Sequence, residues 1–332
     1  MAALDDELKT VRQLCEKTLD NTKLITCVGE MVRVEISTTS FNTIILCIQF
    51  PSNYPENYLL LELKSKTLSN DFLKGLTTLC EKNLKNDIGH PQVMKTIKFI
   101  RTYFLEYPLC CCYDEVNKLK NIIKSNGTLK LKQKSCCIHV DIFSGNYEVK
   151  MRIFIPREYP NKCVKLEEYT ANFPEVFNLY LVGQFTEIAR QCVEPPLRKI
   201  KTKKQSAPQP FQIKPSLEPS VKFMIETVIR FQHEKCPVCK EQCLPDNPMD
   251  AIKCDKNPKH VERALCNHLY HQECLTRYLA SPPFPRDGKK CLICTERLHH
   301  QKWGVNPRLA EDRWAHQQAR ERELDEVKDF LQ

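Results

Sequence analysis

The stretch Phe50-Pro51-Ser52-Asn53-Tyr54-Pro55 has a second version of itself, which begins 105 residues later as Ile155-Pro156-Arg157-Glu158-Tyr159-Pro160. Each copy closes a run of residues that are typical of β-strands. Proline fixes its own backbone and pushes the preceding residue into an extended conformation, so each Tyr-Pro pair is expected to shape the chain where it leaves a sheet. The repeat therefore predicts two related structural units in the first two thirds of the chain.

The residues around the first copy predict a helix, then strands, then two more helices. Strand patterns occur at 32–36, 44–48 and 58–63, and helical patterns at 69–84 and 91–106. Steps of three and four residues keep side chains on one helical face. The N-terminal helix and the last helix each show such a face, formed by Leu4, Leu8, Val11, Leu14, Cys15 and Leu19 in the former and by Val93, Ile97, Ile100 and Phe104 in the latter.

The second copy repeats this order. It predicts a helix near 113–124, strands near 128–132, 136–143 and 147–155, and helices near 174–191 and 220–233. A basic, Pro-rich stretch at 194–219 separates the last two helices and has the composition of a loop or linker. Its run Arg198–Lys204 is interpreted first as a solvated linker, second as a nuclear import signal and third as a phosphate-contacting strip.

Helix, antiparallel four-stranded meander, Tyr-Pro turn and closing helices together resemble the RWD domain, a relative of the ubiquitin-conjugating-enzyme fold. The resemblance implies an α+β protein with two RWD-like domains, at 1–108 and 109–234. A conjugating enzyme would also need a His-Pro-Asn motif followed by a nucleophilic cysteine, whereas His90-Pro91-Gln92 has no cysteine after it in its domain. We therefore expect these domains to recruit a protein substrate or partner and not to catalyse.

The chain changes character at Cys236, where eight metal-ligand residues follow in four close pairs. A gap of two residues lets a turn direct both side chains at one ion, and tetrahedral zinc accepts thiolate and imidazole alike. The total of 19 cysteines is odd, and the acidic N-terminus is unlike a signal peptide, so a disulfide framework is disfavoured. We expect two structural Zn²⁺ ions in the region Cys236-Pro-Val-Cys239, Cys266-Asn-His268-Leu-Tyr-His271-Gln-Glu-Cys274 and Cys291-Leu-Ile-Cys294.

The order of these ligands resembles the two-histidine RING finger, in which the pairs interleave in a cross-braced arrangement. Carried over to residues 235–298, the resemblance implies one site of Cys236, Cys239, His271 and Cys274 and another of Cys266, His268, Cys291 and Cys294. Closed four-ligand sites leave no position for substrate or water, so both ions are expected to be structural. An alternative stays open, in which Cys243, Cys254 or His260 replaces a ligand or joins a third site.

A RING finger implies a ubiquitin ligase that binds a ubiquitin-charged conjugating enzyme and promotes transfer to substrate lysines by orienting the reactants. RWD-like units ahead of a RING are similar to the RWD and RING ligases, such as that of the Fanconi anaemia pathway. The conjugating enzyme would bind an apolar surface of Val238, Tyr278, Leu292 and Ile293. Thr295 stands where many active RING fingers have Arg or Lys, so the alternative is a zinc-stabilised scaffold with an inactive RING.

The last segment, 299–332, is expected to be a charged helix that begins after the capping pair Asn306-Pro307. It packs lightly on the preceding domain or binds a partner, with Leu324, Val327 and Leu331 as its only regular apolar line.

Charge and hydropathy exclude further classes of protein. The net charge of +9 is spread thinly, and apart from Phe211 no aromatic residue accompanies the basic linker, so nucleic-acid binding is not expected. No apolar stretch reaches the roughly 18 residues of a membrane helix, so we expect no membrane association and a cytoplasmic or nuclear location.

Overall fold

The computed structural model describes residues 2–37, 39, 42–195, 211–298 and 306–331. The chain divides into two compact units. One comprises Met1–Ile142, Lys150–Thr170 and Leu179–Met224, and the other comprises Phe143–Val149, Ala171–Asn178 and Ile225–Gln332. The basic run Arg198–Lys204 lies outside the described residues. None of the described helices is both long and apolar enough to cross a membrane.

The first copy forms a helix, a four-stranded antiparallel sheet and two further helices. The strands pair in the order β1-β2-β3-β4, with Val34 of β2 opposite Leu24 and Leu46. The elements are α1 (Ala2–Thr18), β1 (Thr22–Val28), β2 (Met31–Ser37), β3 (Thr43–Gln49), β4 (Leu60–Lys64), α2 (Asn70–Leu84) and α3 (Val93–Glu106).

The core of the first copy lies between one face of this sheet and the helices. Alternate residues of β2 are fully buried because side chains alternate between the two faces of a strand. From α1, Leu8, Val11 and Cys15 complete this core as the helical spacing predicted. The prediction for Leu14 is wrong: this side chain is 41% exposed because it falls beside the buried stripe.

The second copy has the same order of elements and the sheet order β5-β6-β7-β8. Helix α6 begins at Leu217, inside the stretch expected to be linker, and Pro219 lies in its first turn, where a missing backbone N–H is tolerated. A 3₁₀ segment (Pro108–Cys112) leads into α4 (Tyr113–Ile123), β5 (Gly127–Lys132), β6 (Cys137–Ser144), β7 (Tyr147–Phe154), β8 (Lys165–Ala171), α5 (Glu175–Val193) and α6 (Leu217–His233).

The tyrosine of the first Tyr-Pro turn caps a helix. The Tyr54-Pro55 bond is cis, and the Tyr54 hydroxyl donates a hydrogen bond to the Glu7 carboxylate of α1 and accepts one from Gln92 N at 3.0 Å. Glu7 in turn accepts a hydrogen bond from Val93 N at 2.8 Å. The tyrosine and the carboxylate thus bind backbone N–H groups that α3 cannot satisfy at its own N-terminus.

The second Tyr-Pro turn repeats this arrangement with a larger set of bonds. The bond to Pro160 is also cis, and the Tyr159 hydroxyl donates to Glu115 of α4 and accepts from Ser216 N at 3.0 Å and Leu217 N at 3.2 Å. Glu115 accepts a further bond from Glu218 N at 2.8 Å. Burial raises the pKa of the Glu115 carboxyl, although the Glu218 N–H and the Tyr159 hydroxyl oppose the rise. Two copies that share this cap share a fold.

The chain after α6 is short of regular structure. It contains β9 (Val261–Arg263) and β10 (Leu269–His271), which pair in antiparallel fashion, and then α7 (Gln272–Ala280) and α8 (Pro307–Leu331). The Asn306 side chain accepts a hydrogen bond from Arg308 N at 3.1 Å, so the expected cap of the last helix is present.

A hairpin of the second sheet supports the loop that follows the first pair of cysteines. The Tyr147 hydroxyl donates to Pro245 O at 2.8 Å, and the Asn146 side-chain amide donates to Asp246 O at 3.1 Å. The Tyr147 ring stacks on Phe173 with 4.6 Å between centroids. These contacts, all inside the second compact unit, fix the position of the loop in this unit.

Candidate metal centre

Two loops of the same backbone geometry carry the first and last pairs of cysteines. In the first knuckle, residues 236–240, Lys240 N donates to Cys236 O at 2.8 Å and Lys240 has a φ of 67°. In the second knuckle, residues 291–295, Thr295 N donates to Cys291 O at 3.0 Å and Thr295 has a φ of 60°. Each turn folds tightly enough to direct its two sulfur atoms to the same side.

The middle four ligands come from the β9–β10 hairpin and the start of α7. The hairpin turns at Asn267, whose φ of 69° suits asparagine, and Ala264 N closes the turn with a hydrogen bond to His268 O at 3.0 Å. Cys266 and His268 therefore lie at the tip of the turn. His271 ends β10, and Cys274 lies in the first turn of α7.

The structure brings the first implied set together. The donor atoms of Cys236, Cys239, His271 and Cys274 all lie within 4.8 Å of one another. The Cys239 Sγ atom lies 3.2 Å from His271 Nδ1, and three of the four side chains are buried.

The second set, Cys266, His268, Cys291 and Cys294, meets the same limit of 4.8 Å. Here the Cys291 Sγ atom lies 3.6 Å from His268 Nδ1. Three of these four side chains are half-buried, so the second set is closer to solvent than the first. Along the chain the two sets interleave, because the middle segment gives its first two ligands to one set and its last two to the other.

Both sets fit a tetrahedral zinc ion. A Zn–S bond of about 2.3 Å places neighbouring ligand atoms roughly 3.8 Å apart, which lies within the spread of each set. Three thiolates and one imidazole are soft or borderline donors that suit zinc. Four protein ligands would fill the coordination of each ion, so the sets are suited to hold structure together and not to bind substrate.

The electrostatics of the first set favour the charged form of two side chains, the thiolate of Cys236 and the imidazolium of His271. Burial would raise the pKa of the Cys236 thiol, but hydrogen bonds from His271 and from backbone N–H groups outweigh it and lower the pKa to about 6. Contact with Cys236 raises the pKa of His271 to about 9 against the effect of burial. In contrast, burial raises the pKa of Cys274 to about 12. Binding of zinc would therefore release protons, since thiolates and neutral imidazole are the ligating forms.

Three further candidates do not join these sets in the part of the chain that the structure describes. Cys243 is buried, and its backbone N–H donates to Glu234 O at 3.0 Å. Cys254 is exposed, and His260 Nδ1 lies 3.0 Å from Ile252 O. Neither set includes these three residues, so the loop between Cys239 and Cys266 connects two ligand pairs without contributing a ligand to either set.

The predicted docking residues lie on the two knuckles and on α7. Leu292 and Ile293 are 49% and 47% exposed between the ligands of the second knuckle, and Val238 is half-buried in the first. Tyr278 is half-buried, and its hydroxyl donates to Lys290 O at 2.9 Å, next to Cys291.

A lysine that the sequence did not single out lies between two aromatic rings. The Lys289 ammonium is 4.6 Å from the ring centre of Tyr278 and 5.6 Å from that of Phe284, and it donates to Ser281 O at 2.7 Å. Burial lowers the pKa of Lys289. Its Nζ therefore contacts one face of the Tyr278 ring, and that face is not free for a partner.

The C-terminal end of α6 and the residue that follows it, Glu234, brace the middle segment. The Glu234 carboxylate accepts a hydrogen bond from Leu269 N at 2.9 Å, and Arg230 donates to Asn267 O at 3.3 Å. Burial raises the pKa of Glu234. The helix that closes the second copy thus also helps to position the turn that carries Cys266 and His268.

Comparison with known protein families supports the RWD prediction for the first copy. The RWD domain family matches residues 2–104, which contain α1, the first sheet, α2 and most of α3. No curated protein matches the chain.

Proposed function

We propose that this chain, which carries an RWD domain at residues 2–104, is a ubiquitin ligase of the RING type. The observation that carries the proposal is the pair of interleaved sets, each of three cysteines and one histidine. The two knuckles and α7 carry the apolar residues predicted to bind a partner. We infer that each set holds one structural Zn²⁺ ion and that a ubiquitin-charged conjugating enzyme binds these apolar residues.

The chemistry of transfer needs no nucleophile from this chain. The conjugating enzyme supplies the cysteine that carries ubiquitin, and the substrate lysine attacks that thioester. The ligase binds both proteins and restrains the thioester in a reactive orientation, which lowers the entropic part of the barrier. The exposed Leu292 and Ile293 suit a small, transient interface of this kind.

The RWD domain supports a partner in the same pathway, because RWD domains generally bind ubiquitin-conjugating enzymes. We propose that residues 1–234 also recruit the protein substrate. A cleft of about 770 Å³ lies inside the first compact unit, between the ends of α3 and β7. Its volume is sufficient to accommodate part of a bound peptide.

A second candidate function is a zinc-stabilised scaffold with an inactive RING. It is favoured by Thr295, which follows the last ligand and supplies no positive charge there. The next cation is Arg297, which is exposed and pairs through its backbone with Lys290. If Arg297 contacts ubiquitin in place of residue 295, the ligase remains active.

An autoubiquitination assay against a panel of conjugating enzymes separates these functions. We expect ubiquitin chains with the zinc-loaded protein, about tenfold less product with Ile293→Ala or Val238→Ala, and none with Cys236→Ala. Met249→Ala is the matched control, since Met249 is an apolar side chain of the same compact unit that is 85% exposed outside the two knuckles. It should retain full activity.

Inactivity with every conjugating enzyme would favour the scaffold, provided that elemental analysis finds two zinc ions per chain. If the protein is active, Arg297→Ala tests whether Arg297 supplies the positive charge that residue 295 lacks. Loss of activity would assign Arg297 the role that Thr295 cannot perform, and full activity would remove that explanation.

A further inference from the structure

The Tyr270 hydroxyl bonds to two different parts of the second knuckle. Tyr270 lies in the centre of β10, and its side chain is fully buried. Its oxygen is 3.0 Å from Cys291 Sγ and accepts a hydrogen bond from Leu292 N at 3.2 Å. One atom therefore contacts a metal ligand and the backbone of an exposed apolar residue.

The direction of the two bonds follows from the donors present. A backbone N–H only donates, so the Tyr270 oxygen must accept from Leu292. The single hydroxyl proton is then available to Cys291, and a thiolate sulfur accepts it. Ile293 N also donates to Cys291 Sγ at 3.5 Å, and the fellow ligand His268 lies 3.6 Å from it through Nδ1.

We propose that Tyr270 is a positioning residue that joins the second metal set to the docking surface. Its hydroxyl holds the Cys291 sulfur in the orientation that the ion requires, and it holds the Leu292 backbone so that this side chain points to solvent. Loss of the second ion would free both bonds and release the docking residues. The part of the inference that concerns docking rests on the proposed function, and the part that concerns metal retention does not.

The test uses the full chain loaded with two zinc ions, and the variant Tyr270→Phe. This change removes one oxygen and keeps the ring that fills the core. Because groups that orient metal ligands typically contribute 10- to 100-fold to metal affinity, we expect one of the two ions to pass to a chelator about tenfold faster. The other ion, which Tyr270 does not contact, should leave after it and not before it. Tyr278→Phe is the matched control, since its hydroxyl bonds to Lys290 O and not to a ligand.

Hydrogen exchange gives a second measurement that does not depend on the variant. In the wild-type protein the Leu292 amide should lose protection when the second ion is removed, and the Val238 amide should lose it only with the first. Equal zinc release from Tyr270→Phe and Tyr278→Phe, or a Leu292 amide that stays protected without the second ion, would overturn the proposal. Tenfold faster zinc release by a protein that lacks ligase activity would support the role of Tyr270 and reject only the docking function.

Discussion

The two tyrosine caps give the sharpest prediction about stability. Tyr159→Phe removes an oxygen that bonds to Glu115 and to the N–H groups of Ser216 and Leu217, both fully buried. A buried hydrogen bond contributes about 0.5–1.5 kcal/mol, and one to a charged group about 1.5–3 kcal/mol. The three bonds together amount to about 4 kcal/mol of local stability at the start of α6.

Tyr54→Phe is the internal comparison. Its hydroxyl bonds to Glu7 and to one backbone N–H, and water can reach the half-buried side chain to replace part of the loss. We expect about 2 kcal/mol here. The difference between the copies follows from the number of bonds and from burial, since the turns are otherwise alike.

Amide hydrogen exchange measures both effects in the intact protein. Because each 1.4 kcal/mol is a factor of ten, the first-turn amides of α6 should lose about 700-fold in protection in Tyr159→Phe, and those of α3 about 30-fold in Tyr54→Phe. Tyr58→Phe, at a side chain that is 37% exposed, should change neither. A loss below tenfold at α6, or a larger loss at α3, would show that these hydroxyl bonds do not set the stability of the two helix starts.

Three further outcomes are expected. Thr295→Gly should stabilise the zinc-loaded domain by about 0.5–1 kcal/mol, because a β-branched residue at a φ of 60° is strained, and an unchanged or lower thermal midpoint would contradict this. A strong chelator should unfold the region that holds both metal sets while NMR signals of α1 to α3 persist; signals lost from both would show that the RWD domain needs the metal. The raised pKa of Glu115 contributes stability that is complete below pH 4.5 and is lost as the pH rises through the raised pKa. The stability of Glu115→Gln relative to wild type should therefore grow over that pH range. A stability difference that does not change with pH would contradict the raised pKa.

Hydrophobic spacing was enough to predict most of the elements. The buried faces of α1 and α3 follow from apolar residues three and four positions apart, and β6 and β7 follow from alternation. Strand β8 was missed because its sequence, Lys165–Ala171, lies mostly exposed and has no apolar alternation. A strand that the neighbouring β7 stabilises through backbone bonds needs no such pattern in its own sequence.

The residues of the metal sets were predictable from their types and spacing, since a short gap between two ligands imposes their convergence. The residues that support them were not. In the sequence, Tyr270 has the pattern of an apolar core residue, and only the structure shows its hydroxyl beside Cys291. Glu7 and Glu115 were likewise missed, although each stands in the helix that opens its copy and a comparison of the two copies at those positions gives the signal.

The interleaving of the two ligand sets has a consequence for how the protein would gain its ions. Only two residues separate His268 from His271, and these neighbours belong to different sets. Whichever ion binds first would therefore order β10, which also carries or adjoins ligands of the other ion. Less conformational entropy would then be lost when the second ion binds. Loading is expected to be cooperative, so a cell short of zinc would contain empty and filled molecules and few with a single ion.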